Sequence, residues 1–249
     1  DGPPAGGAMI LELADVRRRL AEFELALDLR VEQRATLVVG PAGAGKTTLL
    51  ELIAGLLSLD AGRVTLDGRV LDEPARRIRV APPQRGVGWV PQEGALFPHL
   101  DVAKNLFYGA RRGGAGDPAP VLETLELRPL LARDVRTLSG GERRRVAIGR
   151  ALLSGARLLL VDEPFSGLDP RRRERVAATL LRVRDELRIP TLCVSHDLQG
   201  LDHWAEEIVV LERGAIVDRG PASELLERDP DALRLASRPR RSAPSNGDG

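Results

Sequence analysis

The sequence predicts an α/β fold, built on a parallel sheet that carries a helical insertion. Short apolar segments at Thr36–Val39, Leu158–Val161 and Thr191–Val194 are typical of strands covered on both faces. A long, highly charged helix is expected at Arg171–Leu187. Strands that alternate with helices indicate an α/β core, and the segment from about Val102 to Leu153, which we expect to be mostly helical, is the insertion.

The remaining elements follow from periodicity. Further strands are predicted at Ile10–Leu13, Phe23–Val31, Arg63–Leu66, Gly88–Val90 and Ile208–Leu211. Apolar residues alternate along the second of these, as in a strand with one buried face. A helix after Thr36–Val39 is expected to bury Leu49, Leu52, Ile53 and Leu56. A loop at Arg111–Pro120 interrupts the insertion.

Composition limits the classes of function. The chain of 249 residues has a formal net charge of +1 and 3% aromatic residues, so we expect no nucleic-acid partner. No apolar run approaches the roughly 18 residues of a membrane span. The single cysteine, Cys193, excludes a disulfide framework within the chain and is expected in the core. We predict a flexible extension at residues 1–8, one domain at 9–237, and a disordered tail at 238–249.

A phosphate-loop pattern lies between a predicted strand and a predicted helix. It comprises Gly40, Pro41, Ala42, Gly43, Ala44, Gly45, Lys46 and Thr47, followed by Thr48. Glycines let backbone N–H groups turn toward phosphate oxygens, and the following helix directs its positive end at the anion. Lys46 is expected to reach the β- and γ-phosphates, Thr47 to ligate Mg²⁺, and Thr48 to contact the α-phosphate. The alternative is a chance glycine-rich turn.

Two carboxylates follow the apolar strand Leu158–Val161. Because the carboxyl ends of parallel strands face the ligand crevice, Asp162 and Glu163 are expected there. Asp162 would hold Mg²⁺ through water, and Glu163 would orient or deprotonate the attacking water. Two surface acids at a strand end are the alternative, which the phosphate loop weakens.

The segment Leu138–Glu142 has the pattern of a capped helix start. Ser139 and Glu142 have the spacing of a capping box. Gly140 and Gly141 would weaken the helix that they begin, but they suit close approach of the backbone to an anion. A purely structural helix start is the alternative.

Together these motifs resemble the nucleotide-binding subunits of ABC transporters, over about Ile10–Arg228. Three further motifs occur in family order: Gln92 after Val90-Pro91, the segment Ser166–Asp169, and His196 within Val194–Asp197. The resemblance implies a P-loop NTPase (RecA-like) core with a small antiparallel β subdomain. It also implies an α-helical signature subdomain at about residues 95–153.

The resemblance implies an ATPase that uses ATP and Mg²⁺. Its implied catalytic residues are Lys46, Glu163 and His196, and its implied metal ligands are Thr47, Gln92 and Asp162. Glu142 and Asp169 join the nucleotide site. In the family's head-to-tail dimer, Ser139, Gly140 and Gly141 would donate to the γ-phosphate held by the second copy.

Four segments narrow the resemblance to bacterial importers, with molybdate importers nearest: Gly68–Leu71, Pro83–Val90, Leu96–Leu100 and Asn105–Gly109. This implies a membrane permease as partner, a periplasmic or lipoprotein solute-binding protein indirectly, and a place at the cytoplasmic face of the plasma membrane. The permease is expected to dock between Gln92 and Tyr108; ordinary core of the subdomain is the alternative for the apolar residues of this segment. Import of sulfate, iron, sugar or polyamine, a soluble ABC ATPase acting on ribosomes or DNA, and a small-molecule kinase are the alternatives.

Some positions depart from the family pattern. Asp15–Leu20 lacks the aromatic residue that stacks on adenine, and Phe23 is expected in the core instead. Arg144 stands where glutamine is common, and Pro91 replaces a bulkier residue. The 27 residues after Ala222 are too few for the regulatory barrel of some relatives, so we expect no inhibitory anion site in this chain unless the sequence is truncated before such a domain.

Overall fold

The computed structural model describes residues 10–92, 95–110, 116–196 and 203–228. The predicted extension at 1–8 and tail at 238–249 lie outside the described residues, as do Asp197 and part of the predicted loop Arg111–Pro120. Strands of the described chain form two sheets. Among the described residues, no helix combines the length and the apolar character that a membrane crossing requires.

The first sheet is antiparallel, with the order β2-β1-β4-β5-β6. Its strands are β1 (Leu11–Arg19), β2 (Glu24–Val31), β4 (Ala61–Leu66), β5 (Arg69–Glu73) and β6 (Ile78–Arg79). The alternation predicted for the second strand is confirmed, because every second residue of β2 is buried. The sheet is the small antiparallel subdomain that the sequence led us to expect.

The second sheet has the order β11-β10-β3-β9-β8-β7. Its strands are β3 (Ala35–Val39), β7 (Val87–Val90), β8 (Leu158–Asp162), β9 (Thr191–Ser195), β10 (Glu207–Glu212) and β11 (Ala215–Pro221). Neighbouring strands are parallel except for the pair β10 and β11. Every residue of β3, β8 and β9 is buried, as expected of central strands with two covered faces. Cys193 lies in β9 and is fully buried, which confirms its place in the core.

Helices cover the parallel sheet and form the insertion between β7 and β8. They are α1 (Lys46–Ala54), α2 (Val102–Leu106), α3 (Ala119–Thr124), α4 (Gly140–Leu153), α5 (Pro170–Arg182) and α6 (Ala222–Arg228). A π-helical turn, Val183–Leu187, continues α5. Two hydrophobic clusters result: one contains Leu37 and the helices of the insertion, and the other contains Val38, α1 and the antiparallel sheet.

One detail of the predicted helices is wrong. Gly55, with φ of 80°, ends α1 one residue before Leu56, whose side chain is 50% exposed instead of buried. The described part of the insertion is mostly helical, as expected. Its first two helices have five and six residues, and short 3₁₀ turns occupy part of the chain between them and α4.

Candidate functional site

The phosphate-loop segment connects β3 to α1, as the sequence predicts. Gly43 and Gly45 have φ of 79° and 102°, values that L side chains rarely adopt. A side chain at Gly40 would collide with the carbonyl oxygen of Leu211. The fold therefore requires glycine at these positions, and the loop leaves its backbone N–H groups at the N-terminal end of α1.

Lys46 is the first residue of α1 and is buried. Its Nζ donates to the carbonyl oxygens of Gly40 at 2.8 Å and Pro41 at 3.0 Å. Nζ also lies 3.8 Å from Oε1 of Glu163. Burial lowers the pKa of Lys46, and the nearby carboxylates of Glu163 and Asp162 oppose that shift. The ammonium therefore sits inside the loop, against two carboxylates.

Thr47 and Asp162 bring together two side-chain oxygen atoms that can ligate a metal ion. Oγ1 of Thr47 lies 3.5 Å from Oδ1 of Asp162, across the gap between α1 and the end of β8. Burial raises the pKa of Asp162, while its hydrogen bond with Thr47 acts in the opposite direction. Mg²⁺ prefers oxygen ligands, commonly one or two carboxylates together with substrate phosphates. The donors present at this position fit that ion.

Glu163 and His196 form a second contact beside the loop. Oε2 of Glu163 lies 2.7 Å from Nδ1 of His196 and accepts from the His196 backbone N–H at 3.3 Å. Its other oxygen faces Lys46. Glu163 has φ of 45°, so the chain turns sharply where β8 ends. The turn directs this carboxylate to the same edge of the sheet as the phosphate loop.

Gln92 follows β7, and its side chain is bonded to the segment after β8. Its Nε2 donates to Oγ of Ser166 at 2.9 Å. The sequence indicated Gln92 but gave no role to Ser166, because a serine in a loop has no periodic signal. Asp169 caps α5: its carboxylate accepts from the Arg172 backbone N–H at 3.0 Å. The nucleotide role of Asp169 stays a prediction.

The segment Leu138–Glu142, which is the signature segment of the family resemblance, begins α4 with a complete capping box. Ser139 N–H donates to Glu142 at 2.7 Å, and Glu142 N–H donates to Oγ of Ser139 at 3.3 Å. The backbone hydrogen bond from Ser139 lowers the pKa of Glu142. A side chain at Gly140 or Gly141 would meet no described atom of the chain within 4 Å. The packing of this chain therefore does not require the two glycines, and they leave space beside the helix start.

Phe23 was expected in the core, but it is only partly buried. Its ring is half-buried, packs against the edge of the second hydrophobic cluster, and lies about 3.3 Å from the position that a Cβ on Gly45 would occupy. An aromatic ring thus lies next to the last glycine of the phosphate loop.

Comparisons with known proteins agree with this architecture. The sequence profile of the ABC transporter family matches residues 24–166. The molybdenum import ATP-binding protein ModC of Rhizobium etli is 42% identical over 220 residues, or 87% of this chain and 62% of that protein. ModC of Vibrio cholerae is 42% identical over 214 residues, or 86% of this chain and 58% of that protein. The chain thus spans less than two thirds of the length of these relatives.

Solved structures show the same fold. The protein cbiO1 of Clostridium perfringens, part of the ABC transporter complex cbiONQ, has a TM-score of 0.76 at 20% identity, covering 92% of this chain and 98% of that one. The dimeric bacterial ABC transporter cassette MJ0796 has a TM-score of 0.68 at 24% identity, covering 86% and 99%. The fold predicted from the sequence is thereby confirmed as that of ATP-binding cassettes, and the chain belongs to the ABC transporter family.

Proposed function

We propose that this chain binds ATP with Mg²⁺ and hydrolyses it as the nucleotide-binding subunit of an importer. The observation that carries the proposal is the meeting of three features, each at the end of a strand, at one sheet edge. β3, β8 and β9 are neighbouring parallel strands, and the phosphate loop, Glu163 and His196 directly follow them. Ligands of open α/β sheets bind at this carboxyl edge.

The phosphates would be held by the loop N–H groups and Lys46. The ammonium is already bonded inside the loop, so it is positioned to meet the β- and γ-phosphate oxygens. Thr47 and Asp162, with Gln92, would hold Mg²⁺. When bound, the ion would neutralise charge on the phosphate oxygens.

Hydrolysis would depend on Glu163. Its carboxylate can accept a hydrogen bond from the attacking water and orient it toward the γ-phosphate, or take its proton. His196 contacts Oε2 of that carboxylate and limits its orientation. His196 would also contact the γ-phosphate.

Glu163→Gln tests this assignment. The glutamine keeps the shape of the side chain but cannot act as a base, so ATP should bind normally while turnover falls about 100-fold or more. Because the γ-phosphate is then retained, an ATP-bound dimer should accumulate in gel filtration. Glu174→Gln, at an exposed position of α5, is the matched control and should keep wild-type turnover. Near-normal hydrolysis by Glu163→Gln would remove Glu163 from this role.

Hydrolysis would require two copies of the chain. The open space beside Gly140 and Gly141 supports approach of a phosphate group from a second molecule to the α4 N-terminus. Ser139, Gly140 and Gly141 would donate to that phosphate. The dimeric cassette among the structural neighbours has the same fold.

The membrane partner would bind an aromatic surface formed by Phe97, His99 and Tyr108. The Phe97 and Tyr108 rings lie 4.5 Å apart between centroids, and those of Phe97 and His99 lie 6.0 Å apart. The side-chain amide of Asn105 exchanges hydrogen bonds with both backbone groups of Phe97, which fixes the loop. A rigid, partly exposed aromatic surface suits a helix from the cytoplasmic side of a permease. This contact would place the chain at the membrane.

Molybdate is the proposed solute, because the relatives named above are molybdenum import proteins. A periplasmic or lipoprotein binding protein would deliver it to the permease. The test is molybdate uptake by cells that produce the chain with its permease, together with ATPase assays of the purified complex. Stimulation by sulfate, iron, a sugar or a polyamine, without stimulation by molybdate, would exclude this solute and leave the ATPase assignment intact.

A further inference from the structure

Arg144 connects the signature helix to the segment that carries Gln92. It lies in α4, two residues after Glu142, and its Nη2 donates to the backbone carbonyl of Gln92 at 3.2 Å. The side chain is largely buried, and burial lowers the pKa of Arg144. Its Nη1 is also buried and has no hydrogen-bond partner in the part of the chain that the structure describes.

Gln92 is thereby held at two points. Arg144 binds its backbone carbonyl, and Ser166 accepts from its side-chain amide at 2.9 Å. The backbone N–H of Ser166 donates in turn to the carbonyl of Glu163 at 3.2 Å. A continuous set of hydrogen bonds therefore joins α4, the second residue after β7 and the residue after β8.

A guanidinium with a buried nitrogen is an unfavourable group if it serves only to fill space. Removing a charged group from water is unfavourable, and Arg144 recovers only one hydrogen bond from Gln92 among the described contacts. Packing alone would be served as well by an unbranched apolar side chain such as methionine. A charged donor does bind a carbonyl oxygen more strongly than a neutral donor does. The presence of arginine at position 144 is therefore best explained by its hydrogen bond with the Gln92 carbonyl.

We propose that Arg144 is a positioning residue that fixes Gln92 relative to the signature helix and thereby sets the Mg²⁺ affinity of the nucleotide site. The inference rests on the proposed function, because Gln92 is a metal ligand there. Arg144 itself would touch neither nucleotide nor metal. Its effect would reach the site only through Gln92.

The experiment measures binding of a fluorescent ATP analogue to the full chain, first in EDTA and then over a series of Mg²⁺ concentrations. Arg144→Met should raise about tenfold the Mg²⁺ concentration at which the effect of Mg²⁺ on analogue binding is half-maximal, since it removes a charge-assisted hydrogen bond. Affinity in EDTA should stay at the wild-type value. Arg144→Lys, which keeps a charged donor, should recover part of the loss. Arg145→Met is the matched control: its guanidinium faces Glu126, at 3.2 Å, and the Mg²⁺ response should not change.

A double variant separates positioning from general damage to the fold. If Arg144 acts through Gln92, then Arg144→Met combined with Gln92→Ala should shift the Mg²⁺ response no further than Gln92→Ala alone. Additive shifts would overturn the inference. So would a shift for Gln92→Ala with none for Arg144→Met. If Gln92→Ala itself has no effect, Gln92 is not a metal ligand, and both its assigned metal role and the inference fail.

Should Arg144→Met not fold, Arg144→Gln replaces it, and a shift of at least about threefold is expected for loss of the charged donor.

Discussion

Lys46 and Asp162 are the two charged residues of the candidate site that the fold buries most deeply. Burial favours the neutral form of each group: it lowers the pKa of the Lys46 ammonium and raises the pKa of the Asp162 carboxyl group. Their opposite charges, with that of Glu163, limit the shift of Lys46. At the residue scale the site therefore holds charges that a phosphate group and a divalent cation would stabilise.

Lys46→Arg should lose most ATP binding although it keeps the positive charge. The Lys46 ammonium is compact enough to bond two loop carbonyls from within the loop, whereas a planar guanidinium is larger and differently directed. We expect at least a tenfold loss of affinity, roughly the value of one charge-assisted hydrogen bond. Lys104→Arg is the matched control, because Lys104 is the only other lysine and its side chain is exposed. Full activity of Lys46→Arg in an ATP-binding assay would contradict the steric argument.

Asp162→Asn should stabilise the nucleotide-free chain while weakening its response to Mg-ATP. The pKa of Asp162 is raised on folding, so the folded chain binds the proton more tightly than the unfolded chain does. The free energy of unfolding therefore falls as pH rises from the unfolded pKa through the folded one, and the loss remains complete at neutral pH. Asparagine removes this effect, so the melting temperature at pH 7 should rise by a few degrees.

The measurement is thermal unfolding of wild type and Asp162→Asn at pH 7, with and without Mg-ATP. The variant should gain less stability from the ligand than wild type does, because asparagine lacks the negative charge of the proposed metal ligand. A lower melting temperature of the nucleotide-free variant would contradict this prediction. It would show that contacts other than those with Thr47 and Lys46 offset the unfavourable burial of the Asp162 carboxylate.

At the scale of elements, α1 is fixed at both ends. Its first residue belongs to the phosphate loop, and its last carbonyls accept from the buried Arg85, at 2.9 Å from Leu52 and 3.1 Å from Ile53. Arg85 is paired with the buried carboxylate of Asp72 in β5, at 2.8 Å. A side chain at Gly55 would collide with this guanidinium. The antiparallel sheet thus holds the C-terminal end of the helix whose N-terminal end is proposed to bind phosphate.

Periodicity predicts the elements that are buried on one face or on both. It identifies β2, β3, β8 and β9 closely, since each is recognisable from its own apolar residues. It does not identify β5 and β11. In β5 the burial of Asp72 depends on Arg85, which is distant in sequence, and β11 alternates between exposed and half-buried residues without a buried face. Such strands are defined by their neighbours.

In the candidate site, too, some features can be predicted from the local sequence and others cannot. Glycines, Lys46 and the paired carboxylates are readable because chemistry dictates both residue type and spacing. The bonds of Gln92 with Ser166 and Arg144 join residues 74 and 52 positions apart, and no local pattern signals them. Their discovery requires the arrangement of the strands.

Tyr108→Asp should weaken binding of the permease and leave ATP binding intact. The tyrosine ring is 46% exposed and lies against Phe97, so a carboxylate there would disturb the aromatic surface without entering the core. Loss of one aromatic anchor from an interface commonly costs about 2 kcal/mol or more, which is at least a tenfold change in affinity. Leu56→Asp is the matched control, because Leu56 is 50% exposed at the end of α1. Copurification with the permease is the measurement, and equal recovery of both variants would place the dock elsewhere.

At the scale of the whole molecule, the nucleotide site and the signature segment belong to different parts of one chain. The phosphate loop and both carboxylates lie at the carboxyl edge of the parallel sheet, whereas Ser139 begins a helix of the insertion that follows the edge strand β7. The contacts of Ser139 with Glu142 only close the start of α4. The space beside Gly140 and Gly141 has no function within a single chain that the described contacts reveal. In the proposed dimer, a second copy would supply one.

A mixing experiment tests whether the signature acts on the partner's nucleotide. Ser139→Arg should obstruct closure of the dimer, and Lys46→Ala should disable the phosphate loop, so each homodimer should be inactive. In the mixed dimer, one composite site carries both changes and the other carries neither. If subunits mix freely and the two sites act independently, about a quarter of wild-type turnover should return. Nucleotide binding by Ser139→Arg alone must remain intact, which a fluorescent ATP analogue can measure. Absence of recovery, with mixed dimers demonstrated by differently tagged subunits, would count against the trans arrangement.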